Sequence, residues 1–338
     1  MDKLKTTNTL LLIIVIPLVF YLLKILSFIF VPLIFSMFIA LLFLPIMRWL
    51  GKKKVPKIIS IIIVVLLIIG GMKIGIELIQ LSSRQILNSD AGFFVKAENK
   101  FESLLITAQQ TFGFEMESEK TLFSQFFQQV DIIPTFDYLR KIVTGILMTT
   151  FFVVLWLAES INVQKVLNST ILKQKHTSVR TFRKIEKDLI KFIEVKFFVS
   201  LATGIGTGLA CLYFDVSFPI FWGLFAFVIN FVQMVGSVIS VVLLSAFAFI
   251  ELDPTSTLFF FIVAITGVQV LFGAILEPVF MGKSFSLNVI TVLVMLMLWG
   301  FIWGIPGLIM AIPITVFIKI ILEQFPNTQV ISRMLSGK

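Results

Sequence analysis

The feature that most constrains this chain is a series of apolar runs, each long enough to cross a lipid bilayer, between about Leu10 and Leu322. Crossing the hydrocarbon core takes about 20 apolar residues in a helix, whereas a lipid-spanning barrel has short alternating strands, a pattern that this sequence does not show. With 58% hydrophobic and 14% charged residues, the chain has more apolar surface than one water-soluble core could bury. The sequence therefore predicts an all-α polytopic membrane protein.

The apolar runs and the polar breaks between them divide the chain into membrane and extramembrane segments. We expect N-terminal spans over 1–81, a small helical extramembrane insertion over 82–140, a fourth span over 141–160, a basic amphipathic segment over 161–192, C-terminal spans over 193–325 and a tail over 326–338. The first run breaks at Pro32, which we interpret as two spans joined by a tight turn; one span with a tilted segment is the alternative. The total is about eight hydrophobic helical segments.

Two of these segments are too long for one perpendicular span. They cover 218–250 and 287–322, and each is interrupted near its middle, the first by amides, glycine and serine and the second by glycine, tryptophan and proline. Such residues weaken a helix where they interrupt an apolar run. Each stretch is therefore either one long broken helix or a re-entrant hairpin.

The placement of the charges predicts the orientation. The net charge is +9, and the basic residues cluster at the N-terminus, at 48–57 and at 165–191, whereas acids predominate in the insertion. Basic segments beside spans stay in the cytoplasm and contact anionic lipids, so we expect the bilayer rather than nucleic acid as partner. One orientation satisfies every large loop, with the N-terminus and tail in the cytoplasm and the insertion on the other side of the membrane.

The sequence lacks the residue patterns of an enzyme or a metal site. Cys211 is the one cysteine and lies in an apolar run, and His176 is the one histidine and lies in a basic segment. The glycines at 204, 206 and 208 lie inside an apolar helix, where close packing or a hinge explains them better than nucleotide binding does. We therefore expect no cofactor and no metal, and any active transport must use an ion gradient or a separate partner.

Three runs in the C-terminal third carry a resemblance to a known family. They are Phe218–Gly223 continuing to Asn230–Ser237, then Ile275–Lys283, and then Trp299–Gly307 ending in Ala311–Pro313. On these runs, and on the layout before them, the chain resembles the autoinducer-2 exporter family of bacterial membrane transporters (AI-2E family). The resemblance covers essentially the whole chain and is specific from about Phe192 onward.

The resemblance implies a membrane fold of the family's kind, assembled as a homo-oligomer, and export of a small signalling molecule. Some members of the family are instead assigned sodium–proton antiport. The structural motif residues that it marks are Gly282, Trp299, Gly300, Trp303, Gly304, Pro306, Gly307 and Pro313. The chain departs from the family at Gln233, where a proline is usual, at Met234, where an aromatic residue is usual, and at Ala274, where an asparagine is frequent.

Glu277, followed by Pro278, is the first candidate for an ion or proton site. Ionisable groups at membrane depth are costly and usually functional. A carboxylate at the end of a span, with the proline fixing the turn after it, can bind a cation or carry a proton. The alternative is an interfacial acid that pairs with Lys283 or terminates the helix.

Amides and a glycine form the second group of candidates for the substrate or ion pathway. Asn230 and Gln233 lie in a broken apolar stretch, where a discontinuous helix frees backbone groups that can line a site. Hydrogen bonding between helices is the alternative for both. Gln269 could face a polar pathway or join two helices, and Gly236 more readily serves backbone geometry.

Other polar or aromatic residues favour structural interpretations. Glu194 and Lys196 stand two residues apart, point in different directions on a helix, and are expected to be interfacial anchors rather than coupling residues. Asp215 is expected in a turn. Trp299 and Trp303 share a helix face, for which packing or an interfacial belt is the simpler explanation.

Three functional hypotheses follow. The leading one is a secondary transporter that exports a small polar metabolite or signalling molecule, such as an autoinducer-2-like compound, with the proton gradient as driver. The second is a sodium (lithium)/proton antiporter, which needs a buried carboxylate such as Glu277. The third is a non-transporting scaffold whose partners dock on 82–140 or on the basic amphipathic helix.

Overall fold

The computed structural model describes residues 2–87, 100, 144–159, 176–232, 235–252, 255–282, 287–324 and 328–336. These ranges are helical with short connections and contain no strand. The elements are α1 (Asp2–Ile25), α2 (Ser27–Lys52), α3 (Lys57–Leu87), α4 (Thr144–Glu159), α5 (His176–Tyr213), α6 (Pro219–Ile229), α7 (Val235–Glu251), α8 (Thr255–Gln269), a π-helix (Val270–Leu276), α9 (Glu277–Met281), α10 (Val289–Trp303), α11 (Ile305–Glu323) and α12 (Gln329–Ser336). The predicted helices of the insertion and Gln233 lie outside the described residues.

The surface of the helices confirms that lipid is the solvent for this fold. Within the described ranges, five helical stretches are long and apolar enough to cross a membrane: α2, α3, most of α5, residues 256–281 and α11. Large apolar side chains stand outward on them and on their neighbours, with Ile58 72% exposed and Met297 77% exposed. Water would not tolerate so large an apolar surface. The all-α polytopic architecture predicted from the apolar runs is therefore confirmed.

α1 and α2 meet at a bend rather than at the tight turn that we expected. Leu26 has φ −87° and ψ 22°, and helical hydrogen bonds continue on both sides of it, from its N–H to Leu22 O and from Phe30 N–H to its own carbonyl. Phe20 and Leu23, near the end of α1, pack against the core. One span with a tilted segment before it fits this geometry better than two spans do.

α5 is the helix around which the rest is arranged. It runs unbroken for 38 residues, so residues 176–192 of the predicted amphipathic segment continue directly into the fifth span. Among the described elements, those with the most extensive contacts to it are α2, α6, α8, the π-helix, α9 and α11. Glycines allow the closest of these contacts, since a Cβ on Gly204 would lie 2.7 Å from the carbonyl oxygen of Gly223 in α6. Close helix packing, as predicted for the glycine run, is confirmed.

α6 and α7 fold back on each other as the first hairpin. Trp222, early in α6, packs against Phe247, late in α7, with ring centroids 5.1 Å apart. At the tip, Gly236 lies directly against the carbonyl group of Ile229. α6 has 11 residues, which is about 16 Å of helix and about half of the hydrocarbon core. Of the two interpretations of residues 218–250, the structure has the re-entrant hairpin.

α10 and α11 form the second hairpin, which turns at Gly304. That glycine has φ 63°, in the left-handed region that favours glycine. On either side of the turn, Gly300 lies against Leu308, and Gly307 lies against the carbonyl group of Trp299. The hairpin interpretation therefore also holds for residues 287–322.

The two hairpins open at opposite ends of the molecule. At the base of the first, the carboxylate of Glu251 accepts hydrogen bonds from the backbone N–H and the hydroxyl of Ser217. From there, residues 256–281 run as one helical stretch of 26 residues, about 39 Å long, and lead to the base of the second hairpin at Val289. The tips consequently point into the molecule from opposite sides.

Two of the three basic segments that the charge pattern grouped together, 48–57 and the described part of 165–191, lie together. Arg48, at the end of α2, forms a 2.5 Å ion pair with Glu186, early in α5. Close by in sequence, Lys57 donates a 2.5 Å hydrogen bond to the carbonyl of Ala158, at the end of α4. We call this the basic end of the molecule. The other end, where α3 and the base of the first hairpin stop, carries the start of the acidic insertion.

Candidate functional site

An ion pair between Lys196 and Glu277 occupies the interior between α5 and α9. The lysine Nζ donates to both carboxylate oxygens at 3.0 Å. The side chains are 2% and 4% exposed. A buried pair of this kind persists because its members satisfy each other, and separating them without a new partner is costly. In a membrane helix such a pair is a candidate functional site.

The π-helix places Glu277 on the inward face of its span. Phe261, Ile265 and Gln269 mark that face in α8, all of them buried. An α-helix turns by about 100° per residue. If the α-helix continued unchanged, Glu277 would be rotated by about 80° from Gln269, and residue 276 would point inward instead. The wider π turns of Val270–Leu276 correct this rotation. Single π turns in α-helices are frequent at functional sites.

Pro278 is part of a helix rather than of a turn after one, so this part of the prediction is wrong. It lies in the first turn of α9, where its missing N–H is tolerated, and Gly282, with φ 79°, follows α9 as its C-cap. The lack of that N–H deprives the carbonyl of Ala274 of its α-helical donor. The proline therefore explains locally why the helix before it is widened.

The tip of the first hairpin reaches α5 one turn away from the ion pair. Asn230 is buried and its side-chain N–H donates to the hydroxyl of Ser200 at 3.1 Å. Ser200 follows Lys196 by four residues, so the two share one face of α5. The alternative interpretation of Asn230, a hydrogen bond between helices, is thus the one observed. That bond attaches the hairpin tip to the helix that carries the lysine.

Lys196 is the residue of the candidate site that sequence reasoning missed. We expected it to anchor the helix at the interface and expected Glu277 to pair, if at all, with Lys283. Instead Lys196 is buried and its partner stands 81 residues along the chain. A signal was available: Lys196, Ser200, Thr203 and Thr207 recur at helical spacing within an apolar run, and all four are buried.

The motif residues of the second hairpin build its tip and its core. Trp299 and Trp303 pack against each other with ring centroids 4.8 Å apart and ring planes tilted by 40°, and the Trp303 indole N–H donates to the carbonyl of Leu23 in α1 at 2.9 Å. Pro306 lies in the first turn of α11, and Pro313 is buried within it. These residues shape the second hairpin and attach it to α1.

The described residues hold no group of three histidine, cysteine, aspartate or glutamate side chains that could bind a metal ion. Gln269 is also buried, on the inward face of α8. Asp215 lies in a turn with φ 54°, as its position after α5 predicted. The buried groups along α5 are thus a lysine, a carboxylate, hydroxyls and an amide. Together they form a polar interior that can exchange a proton and hydrogen-bond a solute.

Comparison with known proteins decides the family. A model of the AI-2E family transporters matches residues 10–327. The chain belongs to the AI-2E transporter family. It is accordingly a multi-pass membrane transporter of bacterial type, as the resemblance led us to expect.

Relatives within the AI-2E family have similar descriptions. The chain is 25% identical over 305 residues to a putative transport protein of Haemophilus influenzae, covering 88% of this chain and 87% of the relative. It is 31% identical to a putative transport protein of Borreliella burgdorferi over 45% of this chain and 42% of the relative. It is 29% identical to the AI-2 transport protein TqsA of Escherichia coli over 43% of this chain and 42% of the relative. The last two matches therefore span less than half of either protein.

Proposed function

We propose that this AI-2E family member is a secondary transporter that exports a small polar metabolite or signalling molecule, autoinducer-2-like, across the inner membrane at the expense of the proton gradient. The observation that carries the proposal is the buried Lys196–Glu277 ion pair. No other part of the described interior combines an acid and a base so fully enclosed.

The ion pair supplies two states whose balance depends on protons. In one state Glu277 is ionised and held by Lys196, and in the other it is protonated and released from the lysine. A gradient drives transport only if the two states differ in proton binding and in the access that they give to the solute. The Asn230–Ser200 hydrogen bond lies one turn from Lys196, so it would transmit a change at the ion pair to the first hairpin.

The opposed hairpins support alternating access. Discontinuous helices that meet inside a transporter commonly line its substrate site, since their ends leave backbone groups free near the middle of the membrane. Here one hairpin enters from the insertion end and the other from the basic end. Movement of either against α5 would open the polar interior to one side at a time.

The choice of solute and direction rests on kinship. The name of TqsA connects one relative with AI-2 transport, and the exporter family gives the outward direction. Fold kinship leaves the substrate open to test.

We also propose that the basic end faces the cytoplasm, because Arg48 and Glu186 bring two basic segments to the same side. The homo-oligomer implied by the family stays a prediction. An N-terminus in the cytoplasm also stays a prediction, and it conflicts with the bend at Leu26, because one span over α1 and α2 would put the N-terminus opposite to the basic end.

Uptake into everted membrane vesicles tests the proposal. Vesicles with this protein should accumulate a labelled autoinducer-2-type furanosyl compound above the level of vesicles without it, and collapse of the proton gradient should remove the difference. Uptake that depends on the protein but survives collapse would leave a facilitator and contradict proton coupling. Equal uptake with and without the protein would contradict the choice of solute, and the same vesicles would then be tested for sodium-driven proton movement.

A further inference from the structure

The seam between α5 and the span at residues 256–281 has a register fixed by two contacts. Phe214 packs against Phe261 with ring centroids 5.5 Å apart, and Lys196 binds Glu277. The two helices therefore run antiparallel with matching positions from one contact to the other. Thr207 in α5 and Gln269 in α8 both fall between these contacts, on the insertion side of the ion pair.

One face of α5 carries polar groups along the whole of this seam. Lys196, Ser200, Thr203 and Thr207 are spaced by four, three and four residues, and each is at most 2% exposed. The first three have partners: Glu277, Asn230 and the carbonyl of Val199. Within the described residues, the hydroxyl of Thr207 has none.

Thr207 differs from other threonines in the same kind of helical environment. Thr149, Thr150, Thr203 and Thr315 each donate to the carbonyl four residues earlier. Buried helical threonines ordinarily satisfy their hydroxyls in this way. Thr207 forgoes that bond and leaves its hydroxyl buried and free to accept or donate elsewhere.

Gln269 presents the complementary group. Its side-chain carbonyl oxygen is buried and lacks a hydrogen-bond partner in the described part of the chain. It lies in the last turn of α8, immediately before the π-helix. A buried polar atom without a partner costs roughly 1–3 kcal/mol, and in native proteins it commonly marks a missing ligand or water. Two such atoms in one seam point to one occupant.

We propose that Thr207 and Gln269 bind a small uncharged hydroxyl-bearing ligand, either water or a hydroxyl group of the transported solute, on the insertion side of the ion pair. A hydroxyl can donate to the Gln269 oxygen while it accepts from Thr207. A neutral ligand fits because the seam's charges already cancel in the ion pair. The proposal extends the transport function to a second site, but the occupancy of that site does not depend on which solute is carried.

Cysteine accessibility tests the proposal without a known substrate. Cys211→Ala removes the native thiol, and Thr207→Cys and Gln269→Cys are then made singly in that background. Right-side-out vesicles are treated with a small membrane-impermeant methanethiosulfonate reagent. Thr315→Cys is the matched control, because Thr315 is also fully buried but bonds to its own helix. We expect labelling at 207 and 269 and none at 315, for variants that elute as folded protein in detergent.

The outcomes separate the two sources of the hydroxyl. If the furanosyl compound protects both cysteines and Thr207→Val raises its half-saturating concentration about tenfold, equal to one hydrogen bond of about 1.4 kcal/mol, the solute occupies the site. Labelling without protection identifies water. Absence of labelling at both positions in folded protein overturns the proposal, whatever the vesicle uptake assay shows.

Discussion

Lys196→Met and Glu277→Gln should each destabilise the protein strongly, and the double variant should recover most of the loss. Each single change leaves one buried polar group without its partner, at a cost of about 3–5 kcal/mol. In the double variant no unpaired charge stays buried, so the coupling between the two positions should be large. Thermal unfolding of the purified protein in detergent measures all three variants against the parent. This pair of residues is 2% and 4% exposed, so solvent cannot compensate.

The Arg48–Glu186 pair is the matched control for this cycle. Its side chains are 39% and 18% exposed, and an ion pair in contact with solvent contributes only about 0–1 kcal/mol. Arg48→Met and Glu186→Gln should therefore shift unfolding little. Single variants at 196 and 277 that unfold like the parent would show that the buried pair is not needed for the fold.

The double variant at 196 and 277 also separates folding from transport. It should insert and remain folded, yet lose uptake driven by the proton gradient, since no carboxylate remains there to take up a proton. Glu277→Gln alone is the poorer test, because it strands Lys196 in the interior.

Gly236→Ala and Gly307→Ala should each disrupt a hairpin. An added Cβ would collide with the backbone carbonyl of Ile229 or of Trp299, and no side chain can move aside to make room. The helices must separate instead, at a cost of at least about 3 kcal/mol, the upper part of the range for overpacking. The yield and unfolding temperature of the detergent-purified variants measure the effect.

Gly267→Ala serves as the control for the two hairpin glycines. Gly267 lies inside α8 with nothing within 4 Å of the added Cβ. There alanine should stabilise the helix by about 0.5–1 kcal/mol, because glycine loses more backbone freedom on folding. Hairpin variants as stable as Gly267→Ala would mean that the tips are loosely packed and that the hairpin geometry is wrong.

The sequence predicted what depends on composition and local spacing. The apolar runs gave the all-helical membrane class, and the long interrupted stretches were correctly marked as unusual. The glycine run at 204–208 was correctly assigned to close packing, because a Gly-x-Gly-x-Gly pattern inside an apolar helix has few other uses. Glu277 was singled out because a carboxylate in a span is costly.

The features that we did not predict from the sequence depend on contacts between segments that are far apart in the chain. Lys196 was judged against Glu194, its neighbour in sequence, whereas its partner comes from another helix. The π-helix has no signature beyond Pro278, so the rotation that turns Glu277 inward was not foreseen. We predicted a turn at Pro32, because proline commonly interrupts a helix. In the structure Pro32 lies inside α2, and the backbone bends at Leu26, where ψ is 22°.

The most direct test of the account is proton movement itself. The protein is reconstituted in liposomes that contain a pH-sensitive dye, and a gradient of the furanosyl compound is imposed without any initial pH difference. For the parent protein we predict that the solute gradient drives a proton flux in the opposite direction, and that the Lys196→Met, Glu277→Gln double variant shows none. Solute movement without protons in the parent, or an undiminished proton flux in the double variant, would contradict the assignment of coupling to the buried ion pair.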